Sequence, residues 1–145
     1  ARTLLAHGVQ FDDRALERVA AIGATIVTCP RSNQWVGVGA PPLDRFYRSG
    51  VNIAVGTDSL ASVDDLNLFS ELKAMRWLAP EVPASTILAS ATLGGARALG
   101  LEDELGSLTA GKRAAMIAVA LPPRVDNVED FLVSGIQPSQ VTWVA

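Results

Sequence analysis

Apolar and polar positions along this chain follow two rhythms. Up to Gly100, short apolar runs alternate with longer segments whose apolar residues recur every three or four positions. Thr3–Ala6, Thr25–Thr28 and Val51–Val55 are β-branched and aliphatic runs bounded by turn formers, the pattern of buried strands. After the first run, Asp12 or Asp13 is placed to cap a helix in which Leu16, Val19 and Ala20 form one face, with Gly23 as its stop. Pro41 and Pro42 open a short helix carrying Leu43, Phe46 and Tyr47, and Gly50 ends it. Beyond the third run, Ser62 is expected to cap a longer helix with Asp64 and Asp65 in its first turn. Leu68, Leu72 and Met75 form its buried stripe. Pro80 and Pro83 mark a break, Ala84–Ala91 predicts another helix, and Thr92 is expected to cap a last short one that ends at Gly100.

Strands alternating with helices predict a parallel sheet with right-handed crossovers, so the fold class is α/β. All three strand ends then lie on one side. They deliver His7, the segment Cys29-Pro30-Arg31-Ser32-Asn33, expected to be a turn, and Asp58 at the end of Val51–Ser59. After Gly106 the texture changes. Met116–Ala120, Phe131–Val133 and Gln140–Val144 read as short strands separated by turns, with no helix among them, and predict a small antiparallel or mixed β appendage.

Composition narrows the picture. A chain of 145 residues, 49% hydrophobic, is long enough for one buried core and too apolar for disorder. A net charge of −3 with no basic stripe argues against a nucleic-acid partner. No apolar run approaches the roughly 20 residues of a membrane span, so no membrane partner is expected. Cys29 is the only cysteine, which rules out a disulfide framework or a thiolate zinc site within the chain and makes a reducing cytoplasm the expected location. The chain opens at Ala1 without an initiator Met and stops just after a strand-like run. It is expected to be a segment of a longer protein.

His7 is the only histidine, and Asp58 is a single carboxylate at the mouth of a strand. Taken singly, each has an ordinary structural reading: an imidazole satisfied by a carbonyl, and an Asp capping a loop or helix. Together, on strands of one parallel sheet, they suit metal-assisted hydrolysis, with Asp binding a divalent ion and His polarising substrate or orienting water. One carboxylate and one imidazole fall short of the three protein ligands a catalytic zinc takes. Trp35, on a Gly-rich loop, is a candidate substrate contact. Cys29 reads as a buried, inert thiol. Gly106–Lys112 has phosphate-loop spacing, but Arg113 stands where a Ser or Thr would hold Mg²⁺, and the segment leads into a strand.

Leu5-Ala6-His7-Gly8-Val9, Thr28–Asn33, Gly50–Ile53 running into Gly56-Thr57-Asp58-Ser59, Ala91–Gly100 and Gly106–Ala114 together resemble the amidohydrolase superfamily. The nearest branch is its metal-dependent deaminases and triazine chlorohydrolases. The resemblance implies the C-terminal part of a (β/α)8 TIM-type barrel, strands six to eight in residues 1–103, plus part of a small β-sandwich domain in 104–145. It implies that Asp58 is both metal ligand and proton acceptor, that His7 contacts water or substrate, and that Ser32 and Asn33 line the site. The implied cofactor is one divalent metal ion, zinc first and iron second. The implied partners are a small-molecule substrate, the rest of the barrel in the same or a separate chain, and a second copy in a homodimer. The implied reaction is hydrolytic deamination of a nucleobase, nucleoside or related N-heterocycle. Its alternatives are dechlorination, amide hydrolysis, or a non-catalytic fragment that serves as an assembly partner. Ala115 departs from the family, which usually carries Asp at that position.

Overall fold

A computed structural model of the chain describes residues 2–144. Three short strands, β1 (Leu4–Ala6), β2 (Thr25–Thr28) and β3 (Asn52–Val55), form a parallel sheet in the order β1-β2-β3. Register sets the core. Leu5 pairs with Ile26 and Ile26 with Ile53, so one row of aliphatic side chains crosses the sheet toward the helices. Leu4 and Ala6, on the opposite face, are exposed, as alternation along a strand requires.

Helix α1 (Asp13–Ala21) follows β1 and packs Leu16 and Val19 inward. Its cap is Asp12, whose carboxylate accepts the Ala15 N–H at 2.7 Å. Helix α3 (Leu43–Arg48) brings Leu43 and Phe46, and α4 (Leu68–Leu78) brings Leu72 and Met75. Helix α5 (Ala84–Ala91) adds Ile87. With Ile26, these side chains are almost fully removed from solvent, each worth roughly 1.5–3 kcal/mol of transfer free energy. Helix α6 (Leu93–Leu99) runs close against β3. Gly94 permits the approach, because a Cβ there would collide with the Ile53 carbonyl.

The C-terminal segment contains β4 (Ile117–Val119), α7 (Val128–Leu132), a 3₁₀ turn (Pro138–Gln140) and β5 (Val141–Trp143). The two strands pair antiparallel, Ile117 opposite Trp143. Lys112 donates to the carbonyls of Glu102 and Leu105. The phosphate-loop look-alike is thereby a staple for its own loop.

Four expectations need correction. Pro30–Val36 is a helix, α2, and not a turn. The helix expected from Ser62 begins at Leu68, where the Asn67 side chain accepts the Phe69 N–H; Asp64 and Asp65 stay in the preceding loop. Phe131–Val133 is no strand: α7 ends there, capped by Asn127, whose side chain accepts the Asp130 N–H. Thr92 precedes α6, but its hydroxyl donates back to the Leu88 and Ala89 carbonyls and caps nothing.

Candidate active site

Each strand of the parallel sheet ends in a polar group at the same rim. His7 follows β1 directly, and its backbone N–H extends the ladder to the Val27 carbonyl at 2.8 Å. Asp58 follows β3 after Gly56 and Thr57. Both residues adopt left-handed backbone, φ 66° at His7 and 61° at Asp58. They are the only non-glycine residues with positive φ among those described. Such a conformation costs on the order of 1 kcal/mol each and persists only where the surroundings impose it. At His7 the next residue helps: Gly8, also at positive φ, lies where a Cβ would press on the Phe11 ring at 3.1 Å and Phe46 at 3.3 Å.

The strain brings the two side chains together. His7 Nε2 lies 3.8 Å from Asp58 Oδ2, and both side chains keep about two-fifths of their surface exposed, open to a ligand. A hollow of about 560 Å³ spreads over them, walled by Phe11, Ser32, Asn33, Val36 and Val38.

Helix α2 holds both from behind. Asn33 is buried, and its Oδ1 accepts from His7 Nδ1 at 2.7 Å. An amide oxygen only accepts, so Nδ1 carries the ring proton and Nε2 is the nitrogen turned toward Asp58. Ser32, equally buried, donates its hydroxyl to Asp58 Oδ2 at 2.7 Å and sits 2.9 Å from the Ser62 hydroxyl. The Ser32 hydrogen bond, more than any other influence, holds the Asp58 carboxyl below its ordinary range; partial desolvation opposes it, and His7 and Ser62 add to it. Asp58 is therefore an anion at neutral pH, the form that binds a cation or accepts a proton.

One expected participant, Trp35, stands apart, and Cys29 is the inert thiol it was expected to be. Trp35 lies on α2 but is exposed and does not wall the hollow; its neighbour Val36 does. The Cys29 thiol is buried, and desolvation, with smaller contributions from the charges of Asp58 and Glu71, pushes its pKa up to about 11. It stays protonated and unreactive. Ser62 is a participant that sequence reasoning assigned elsewhere, as a helix cap. Its signal was the small-residue segment after Asp58, where a hydroxyl close in sequence to a carboxylate can turn back onto it.

Among the described residues no three His, Cys, Asp or Glu side chains cluster as a metal site. The donors present do suit one, because an ionised carboxylate beside an imidazole nitrogen is chemistry that zinc accepts. This chain thus offers part of a ligand set.

Parallel strands deliver an anionic carboxylate and an oriented imidazole to one rim, the carboxyl ends of the strands, where α/β folds place their functional groups. Comparison with known proteins makes that specific. The sequence profile of the amidohydrolase family matches residues 1–142, and the chain belongs to that family. A 5-methylthioadenosine/S-adenosylhomocysteine deaminase of Teredinibacter turnerae (strain ATCC 39867 / T7901) is 39% identical over 127 residues, covering 81% of this chain and 29% of the relative. An adenosine deaminase of Xanthomonas campestris with bound zinc superposes with a TM-score of 0.91 at 36% identity, over 96% of this chain and 34% of that one. Atrazine chlorohydrolase of Arthrobacter aurescens TC1, complexed with zinc, gives 0.84 at 26% identity, over 96% of this chain and 33% of that one. The chain spans about a third of the length of the relatives it matches.

Proposed function

We propose that this chain supplies strands six, seven and eight of a (β/α)8 barrel, residues 1–103, and part of a small β domain, residues 104–145, to a metal-dependent deaminase. The substrate class is a purine nucleoside or related aminated N-heterocycle, in keeping with the deaminase relatives. The observation that carries the reading is the left-handed pair, His7 and Asp58, held 3.8 Å apart at the rim of a parallel sheet. Strain kept at two polar residues, and at no other non-glycine position among the described residues, marks a place where side-chain direction matters more than backbone comfort.

A bound divalent ion, zinc by likeness to both solved relatives, would supply a Lewis acid that lowers the pKa of a water to about 7. Asp58 would be this chain's ligand to it, and its anionic carboxylate is the base that takes a proton from the attacking water. His7 presents Nε2 toward the same point and orients water or the amino-bearing carbon of the substrate. Ser32 keeps Asp58 ionised, and Asn33 keeps the imidazole in one tautomer. Val36, Val38 and Phe11 give the hollow apolar walls suited to a flat heterocycle. The remaining barrel, in the same chain or another, covers the unpaired edges of β1 and β3; assembly as a homodimer and a cytoplasmic location belong to the same proposal.

The test is direct. The full-length protein, loaded with zinc and given 5-methylthioadenosine, S-adenosylhomocysteine or adenosine, is expected to release ammonia and to carry about one zinc per chain. Likeness to the chlorohydrolase favours dechlorination as the second reading, and chloride release from a chlorotriazine without ammonia from any nucleoside would select it. A full-length protein that binds no zinc and turns over neither class serves as an assembly partner, and the proposal is then wrong.

A further inference from the structure

Helix α2 carries the groups that grip the site, yet no side chain adjacent in sequence caps its start. Its N-cap is Cys29, whose side chain makes no capping hydrogen bond, and Pro30 at the first helical position has no N–H to offer. Arg31 therefore carries the first free amide of the helix, in the position an N-cap oxygen ordinarily serves. The acceptor comes from forty positions away. Glu71 on α4, its side chain wholly buried, accepts the Arg31 N–H on Oε2 at 3.1 Å. Its other oxygen, Oε1, has no hydrogen-bond partner and lies 3.6 Å from Arg31 Nη1. The same Nη1 binds Asp65 Oδ1 at 2.7 Å, in the loop that leads from Asp58 to α4. One arginine thus ties the start of α2, the body of α4 and the loop behind Asp58. Its next two residues in sequence are Ser32 and Asn33.

We propose that Glu71 is a positioning residue of the His7–Asp58 site: its buried carboxylate caps α2 from outside and, through Arg31 and Asp65, fixes the helix so that Ser32 and Asn33 meet Asp58 and His7. The catalytic half of this statement rests on the deaminase reading above. Burial of such a carboxylate is costly, and desolvation pushes the Glu71 pKa up to about 7 against the smaller pull of Arg31. An apolar side chain would fill the same place more cheaply if packing were its only role.

The experiment uses the full-length protein with Glu71→Leu, Ser32→Ala, the double variant, and Glu71→Gln. Amide hydrogen exchange needs no substrate. In Glu71→Leu the Arg31 and Asn33 amides are expected to exchange at least tenfold faster while those of β2 keep parental rates, and Glu71→Gln, whose amide oxygen still accepts, restores most of the protection. In deamination of 5-methylthioadenosine, Glu71→Leu is expected to lose about tenfold in kcat with KM within twofold. The double variant should fall below Ser32→Ala alone by clearly less than the tenfold of Glu71→Leu, since part of the Glu71 effect passes through the Ser32 hydroxyl and only the part carried by Asn33 remains. If Glu71→Leu fails to fold, the same cycle with Glu71→Gln, expected to lose about threefold, decides. Unchanged Arg31 exchange, uniformly accelerated exchange, or losses that multiply in the double variant would each overturn the proposal. Absence of turnover in the parent overturns the deaminase reading and leaves the exchange data to decide the role of Glu71.

Discussion

Helices α1 and α2 each follow a strand of the same sheet, and they are held in opposite ways. Helix α1 is self-sufficient: its cap precedes it by one residue, Leu16 and Val19 seal it to the core, and its polar face looks at solvent. Helix α2 buries a proline, a serine and an asparagine, and takes its cap from another helix. Between them they separate two tasks. A helix that only has to exist can be specified by its own sequence. A helix that must aim a hydroxyl and an amide is positioned from outside, by groups whose burial is unfavourable unless the alignment holds.

The sharpest way to strain that contrast is at the point α2 aims for. Asp58→Asn in the full-length protein is expected to lower turnover by about 10²–10⁴-fold with loss of bound zinc, while the melting temperature moves little, because Asn tolerates left-handed backbone. A variant that retains its zinc and works within a few-fold of the parent would remove Asp58 from the chemistry. Next in size is Ser32→Ala, which takes from Asp58 a hydrogen bond to a charged group worth about 1.5–3 kcal/mol. Turnover is expected to fall by about 10–100-fold, measured as kcat under saturating zinc, and Asp12→Asn on α1 provides the reference.

A third test concerns how α2 is held as pH changes. An unfolded chain releases the Glu71 proton near the ordinary 4.5, whereas the folded chain keeps it to about 7. Between those values the folded state binds more protons, so this group makes stability fall as pH rises, and its influence levels off above about 7. Arg31, Asp65 and Cys29 face it and set the balance. Glu71→Gln is expected to flatten the melting-temperature profile between pH 4.5 and 7, a difference of several degrees; an unaltered slope would show that Glu71 does not titrate in this window. The smallest effect belongs to α1. Asp12→Ala should cost about 1 kcal/mol in denaturant unfolding and leave kcat unchanged, and a loss of turnover there would erase the distinction between the two helices.

The same contrast explains what the sequence revealed. Strands β1 to β3 and helices α1, α3, α5 and α6 announce themselves by apolar periodicity and local punctuation. Helix α2 does not, because Arg31, Ser32, Asn33 and Gln34 present no apolar stripe and its capping group lies far along the chain; Pro30 at the first position was its one local sign. The start of α4 is displaced from Ser62 to Leu68 because Ser62 is drawn to Ser32 and Asp58, and Asp65 to Arg31. Helix α7 hid behind the strand-like Phe131-Leu132-Val133, although Asn127 followed by Glu129 and Asp130 is a helix start. His7 and Asp58 could be picked out as site candidates by their places at strand ends. Their backbone conformation could not, since a left-handed residue other than glycine leaves no mark in composition.

That conformation also restricts what evolution can put there. Besides glycine, the residues that enter the left-handed region with least difficulty are asparagine, aspartate and histidine, while β-branched side chains are effectively shut out. Two of those three are ligands or bases, and the third differs from aspartate by one atom of the carboxylate. A drifting lineage could therefore exchange one coordinating group for another at positions 7 and 58 without refolding the strand ends, whereas a valine or isoleucine would meet a backbone barrier before any chemical one. At these two positions the main chain sets the vocabulary, and the reaction is composed within it.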